Sequence, residues 1–165
     1  MHTAARITIM LAAALVVAYP IAISSLLLIP DHRLAAVENT GSMEPALRGG
    51  DLVLQSTQRT PRVGEIVSVR RKSGSVIHRV AEIAPDGTLQ LKGDANPIPD
   101  LRPDPPEAVQ GTVIQAMPMI GWPILWLHQG SIFVRVLVIA APFLAAWILI
   151  YPRALRADSA IATAA

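Results

Sequence analysis

The 165-residue sequence contains no cysteine. That excludes a disulfide scaffold, a thiol nucleophile and a thiolate metal site. It leaves the compartment open, since an exported protein can do without disulfides. Charge is scarce as well. Charged residues make up 16% of the chain and hydrophobic residues 52%, against roughly 25% charged in a typical soluble domain. Mean hydropathy is +0.45. This balance excludes an ordinary cytosolic globular protein and places part of the chain in lipid. Phosphate-cradling glycine loops and internal repeats are missing too.

The net charge of +2 and pI near 9.5 do not make a nucleic-acid binder. Residues 30–130 hold ten Lys and Arg against eleven Asp and Glu, a net −1. The excess comes from Arg6, Arg135, Arg153 and Arg156 at the membrane flanks. It is an orientation signal and no phosphate-binding surface.

Residues 7–29 run for 23 positions without a charge. As a helix they would cover about 34 Å, enough for a bilayer core of roughly 30 Å. Residues 132–151 make a second expected span, with Arg135 near its start, able to snorkel, and Trp147 and Tyr151 at its far end. Pro20 and Pro142 fall inside the two spans, where membrane helices tolerate them. A cleavable signal peptide is the rival for the first span, with Ala22 and Ser24 as the small pair before a cut. The apolar run outlasts the usual 7–15 residues and continues through Ile29, which favours an uncleaved anchor. Arg6, Arg153 and Arg156 then put both termini in the cytoplasm. The expected division is a short N-terminus and first helix at 1–30, an external domain at 31–130, a second helix at 131–152 and a tail at 153–165.

The middle part reads as β. Runs at Asp51–Ser56, Glu65–Arg71, Ser75–Ile83, Thr88–Lys92 and Thr112–Ala116 are rich in Val, Ile and Leu, and glycine-containing turns separate them. The expected fold is mainly β, a small external barrel or sandwich between two transmembrane helices. No helix-period stretch of useful length stands between the spans. Residues 97–108 form a proline-rich loop that cannot pair as a central strand. Trp122 and Trp126, before the second span, suit an interfacial apron or core packing equally.

Candidate chemistry is sparse. Of four histidines, His32 and His128 flank the membrane. His78 alone lies within a strand, where alternation puts Val76, His78 and Val80 on one face. A histidine among valines is usually a satisfied core residue, and only geometry can make it a base. One such histidine and no cysteine do not make a zinc site. Ser42 sits in Thr40-Gly41-Ser42-Met43-Glu44-Pro45, between a glycine that permits close backbone approach and a proline-stiffened turn, a setting that an ordinary turn also explains. Asp94 and Asp100 lie six apart. Either could orient a histidine or bond turn amides.

Taken together, these residues carry a resemblance. T-G-S-M-E-P-A-L-R-G-G-D-L-V resembles the nucleophile box of type I signal peptidases. V-G-E-I-V-S-V-R, I-H-R-V and K-G-D-A-N…D follow in the family's order, over about residues 38–100, and Pro118…Gly121 resembles the closing strand. Bacterial-type members use a Ser–Lys dyad. Here His78 stands at the lysine position, and Lys72 and Lys92, the only lysines, lie outside that box. The chain therefore resembles the ER-type, histidine-containing branch. Thr40 replaces a common serine, and Ala95 a common asparagine.

The resemblance implies a membrane-bound serine endopeptidase that removes signal peptides from exported proteins. It implies Ser42 as nucleophile, His78 as general base, Asp100 as orienting acid and Asp94 as support. Thr40 and Ser42 would hold the oxyanion, and Met43 and Pro45 would meet substrate. No cofactor or metal is implied. The partners would be preproteins and the lipid bilayer, with no nucleic acid, at a two-pass cell-membrane location with the catalytic domain outside. The alternatives are a dedicated peptidase with one or few substrates and a non-catalytic membrane-tethered β-domain.

Overall fold

The computed structural model of the chain describes residues 3–38 and 40–147. It divides into two units: Ile29–Leu125, and the segments that flank it.

The unit Ile29–Leu125 is built on one antiparallel sheet. Its strands are β1 (His32–Ala36), β2 (Leu52–Ser56), β3 (Ile66–Arg71), β4 (Gly74–Ile83), β5 (Leu89–Lys92) and β6 (Val109–Met117). Their order is β1-β2-β6-β3-β4-β5. β3 and β4 form a hairpin whose register pairs Val67 with His78 and Arg71 with Gly74. Alternation sorts the apolar residues into two clusters. Val67, Val69, Val80, Leu89 and Leu91 form the first, with Val76 packed against it. Val37, Met43, Leu47 and Val53 form the second, with Ile66 and Ile77 against it. Val76 and Val80 thus lie on one face of β4 and Ile77 on the other, as the period of two requires.

The five expected strands are present, and two expectations need correction. The sheet is open, not a closed barrel: β1 and β5 are its two edges and do not pair. The segment after β5 covers part of that edge through one isolated bridge, Leu89 to Asp104. Its prolines have no N–H with which to extend a ladder. The second correction is helical. Residues read as an apron form a helix, α2 (Trp122–Gln129). Its apolar residues surround it, so no 3.6-residue period was visible. Trp122 is half-buried over Gly50, and Trp126 is exposed.

In the flanking unit, α1 (Thr3–Leu27) includes Pro20 and is long and apolar enough to cross a membrane. A third helix, α3 (Ile132–Trp147), is apolar, and its described residues number fewer than 18. One helix of spanning length is therefore found among the described residues, where two were expected. Residues 148–151 of the second expected span, with Tyr151, lie outside the described residues, as do Arg153, Arg156 and the tail. Arg135 folds back from α3 toward the end of α2. Its Nε donates to the Gly130 carbonyl and its Nη2 to that of His128, both at 2.9 Å, where the end of α2 offers negative dipole charge.

Candidate active site

The segment after β1 turns tightly. Glu44 N–H donates to the Gly41 carbonyl and Leu47 N–H to that of Met43. Met43 and Leu47 are almost fully buried in the second cluster, and they pin the turn from below. Gly41 adopts φ +72°, a left-handed conformation that a side chain would strain. Nothing lies within 4 Å of where its Cβ would be, so glycine answers a conformational demand here. The turn ends at buried Asp51, whose carboxylate accepts from the N–H groups of Arg48 and Met119. Ser42 is thereby fixed to the exit of β6.

His78, 8% exposed, occupies the centre of β4. Its Nε2 lies 3.2 Å from Ser42 Oγ, and its Nδ1 lies 2.8 Å from Asp100 Oδ2. A carboxylate only accepts, so with a neutral ring the Nδ1 carries the proton and the Nε2 lone pair faces the serine hydroxyl. Thr40 Oγ1 lies 3.3 Å from the same Ser42 Oγ. This places a hydroxyl, an imidazole and a carboxylate in the order that can move a proton from a serine.

Asp100 is held from several directions. Its N–H donates to the Leu91 carbonyl, and its own carbonyl accepts from Gln90 Nε2 at 2.7 Å. Its Oδ2 also accepts from Arg71 Nη2 at 2.6 Å. Arg71 reaches Asp104 as well, through Nε at 2.9 Å and through Nη2. The bonds to Asp104 and then Asp100 raise the Arg71 pKa well above its ordinary value, against an opposing effect of burial. Asp94 has a different partner. It takes two bonds from Arg79, at 2.8 and 2.6 Å, and Arg79 also donates to the Gly64 carbonyl. That pairing raises the Arg79 pKa, again against burial.

The loop bearing both aspartates is fastened to the nucleophile turn. Ala95 N–H donates to the Ser42 carbonyl at 3.0 Å. A Cβ on Gly93 would lie 2.6 Å from that same oxygen, so only glycine allows the approach.

A groove of about 690 Å³ runs past Ser42 and His78, within the range of ligand-binding clefts. Residues 33–38 line one wall and residues 75–78 another. Among the described residues β1 pairs only with β2, and the register between β4 and β5 begins at Arg79. Both walls therefore present strand edges whose backbone groups are free for a third strand. Buried Ser68 and Gln55, bonded to each other, lie at the base. Met43 also lines the groove, whereas Pro45 is exposed and is not part of the lining.

Of the residues named from sequence, Ser42, His78, Asp100 and Thr40 come together, and Asp94 sits apart on Arg79. Sequence reasoning missed Arg71 and Asp104. The hairpin signal at Ser73-Gly74 marks Arg71 as a strand end, but nothing local connects it to an aspartate 33 positions away.

A serine hydroxyl facing an imidazole backed by a carboxylate, set in a strand-edged groove, is an arrangement able to support acyl transfer. No family model matches the chain, but individual relatives do. It is 32% identical over 109 residues to the signal peptidase complex catalytic subunit SEC11 of Chaetomium globosum, covering 54% of this chain and 61% of that protein. It is 31% identical over 116 residues to the subunit of the same name from Candida tropicalis, covering 62% of this chain and 70% of the relative. The chain belongs to the signal peptidase I family, as a relative of the ER-type catalytic subunits.

Proposed function

We propose that this protein is a membrane-anchored serine endopeptidase that removes signal peptides from exported proteins. The observation that carries the reading is the unbroken contact from Ser42 Oγ through His78 to Asp100 Oδ2, in a chain related to signal peptidase catalytic subunits.

A serine hydroxyl is a poor nucleophile at neutral pH. His78 Nε2 takes its proton as Ser42 Oγ attacks the scissile carbonyl, then returns it to the leaving amine. Asp100 holds the Nδ1–H tautomer and stabilises the imidazolium. The Ser42 N–H and the Thr40 hydroxyl receive the developing oxyanion. Losing one such donor typically costs about 2.7–4 kcal/mol. Water then enters by the same route in reverse and releases the acyl group from Ser42.

The substrate lies extended against the edge of β1, which supplies backbone pairing, while side-chain pockets supply selectivity. The family resemblance assigns small residues to the first and third positions before the cut. Ser42 follows Ile29 by 13 residues, at most about 45 Å of extended chain, so α1 as an anchor keeps the site near the bilayer in which the substrate is embedded. Residues 31–130 face outward and both termini are cytoplasmic. Reporter fusions at residue 110 and at the C-terminus are expected to show opposite sidedness, and equal sidedness overturns the two-span arrangement.

The function is tested by incubating the full-length, detergent-solubilised chain with a model preprotein. The expected result is release of the mature fragment, lost in Ser42→Ala. Equal cleavage by Ser42→Ala overturns the reading.

A further inference from the structure

Behind His78 stands a charged relay that catalysis by serine, histidine and aspartate alone does not require. Asp100 Oδ2 is shared: His78 Nδ1 meets it at 2.8 Å and Arg71 Nη2 at 2.6 Å. Arg71 is divided in turn between Asp100 and Asp104. The side chains of Asp100 and Asp104 are 9% and 8% exposed, so water screens this relay far less than a surface ion pair. Asp104 is anchored independently by two backbone bonds with Leu89, at 2.8 and 2.9 Å. Arg71 ends β3 at the hairpin and is fixed by the sheet.

We infer that Arg71 is a positioning residue which, braced by Asp104, holds the Asp100 carboxylate on His78 and sets the net charge that the imidazole faces. The inference rests on the functional reading above. Asp100, Arg71 and Asp104 together present one net negative charge to His78, which becomes neutral when the imidazolium forms. The other groups around His78 are few. The Ser42 turn contributes the hydroxyls of Ser42 and Thr40, and its Glu44 is exposed. Arg33 and Glu38 lie on the groove wall formed by the β1 segment and carry opposite charges. Lys72, next to Arg71, is exposed, and Arg79 is engaged by Asp94.

The relay makes a signed prediction. Arg71→Met leaves two uncompensated carboxylates, which favour the imidazolium. The acid limb of the pH profile of kcat/KM then moves to higher pH, by about one unit for one charge a few ångströms away. Asp104→Asn leaves Arg71 to neutralise Asp100 alone, and the limb moves to lower pH by a similar amount. The double variant again presents one negative charge and returns towards wild type. Arg71→Lys keeps the charge and restores the limb, while its single ammonium bridges two carboxylates less well and lowers kcat.

The experiment measures these profiles on the full-length chain in detergent with a model preprotein, and Ser42→Ala as the control. Opposite movements in the two single variants support the inference. No movement, or movement in the same direction, overturns it even when wild-type cleavage depends on Ser42. Loss of that dependence overturns the functional reading instead. NMR titration of the His78 ring in the Ser42→Ala background reads the same displacements without turnover. Should Arg71→Met not fold, movement to lower pH in Asp104→Asn, beside none in Arg71→Lys, still supports the inference in that titration, and no movement in Asp104→Asn overturns it.

Discussion

Asp94 and Asp100 occupy one loop, six residues apart, and each meets a basic side chain from adjacent positions of β4. Asp94 takes Arg79 and Asp100 takes His78. Consecutive residues of a strand point to opposite faces, so a loop that satisfies both must approach β4 from both sides. The Asp94 pair forms a tie, bidentate and extended by Arg79 to the Gly64 carbonyl. The Asp100 contact is a single bond to an imidazole ring, reinforced from behind by the Arg71 guanidinium. One aspartate closes the loop, and the other is the one that the closed loop brings to the β4 imidazole.

The sharpest way to break this contrast is Asp100→Asn. The expected loss in kcat is on the order of 10⁴, with thermal unfolding nearly unchanged. A stable and fully active Asp100→Asn, beside a dead but stable Asp94→Asn, reverses the assignment. His78→Lys probes the same face of β4. Lysine ordinarily titrates near 10.4 and needs an apolar pocket to become a base, whereas Asp100 favours its charged form. Cleavage should fall by at least about 10², and a rate near wild type means that the carboxylate does not govern the base.

Gly93→Ala tests the fastening between loop and turn. The added methyl meets the Ser42 carbonyl at 2.6 Å, and overpacking of this kind costs about 1–3 kcal/mol. Both the unfolding midpoint and turnover should drop, and an unaltered rate means the loop can retreat without displacing Ser42. The smallest effect is expected from Asp94→Asn. The Arg79 side chain is 36% exposed, so solvent weakens the pair, and the loss should be about 1 kcal/mol or less of stability. A loss of activity with full stability would place Asp94 in the chemistry.

Much of this was legible in the residues. Val, Ile and Leu runs between turns located β2 to β6, and the alternation around His78 placed Val76 and Val80 on its face. The same alternation separates the two aspartates once Arg79 is read as His78's neighbour on the opposite face. β1 escaped because His32–Ala36 carries no β-branched residue and shows no apolar–polar alternation. Closure into a barrel was not readable either. It depends on whether the first and last strands meet, and the side-chain period does not encode that. Arg71 and Asp104 were hidden for a related reason: each looks like an ordinary polar residue until the hairpin and the proline-rich loop are folded onto one another.

The open edge of β1 has a cost of its own. Unpaired N–H and C=O groups along a strand recruit any extended chain, including the same edge of another copy. β1 keeps that hazard small by being five residues long and by carrying His32 and Arg33 at its start. The left-handed backbone of Asp31, φ +59°, interrupts the extended conformation just before it. Lengthening β1 or replacing Arg33 with an apolar residue would lower its discrimination against self-association. An edge left open to a passing polypeptide has to stay short and charged to keep the protein from aggregating.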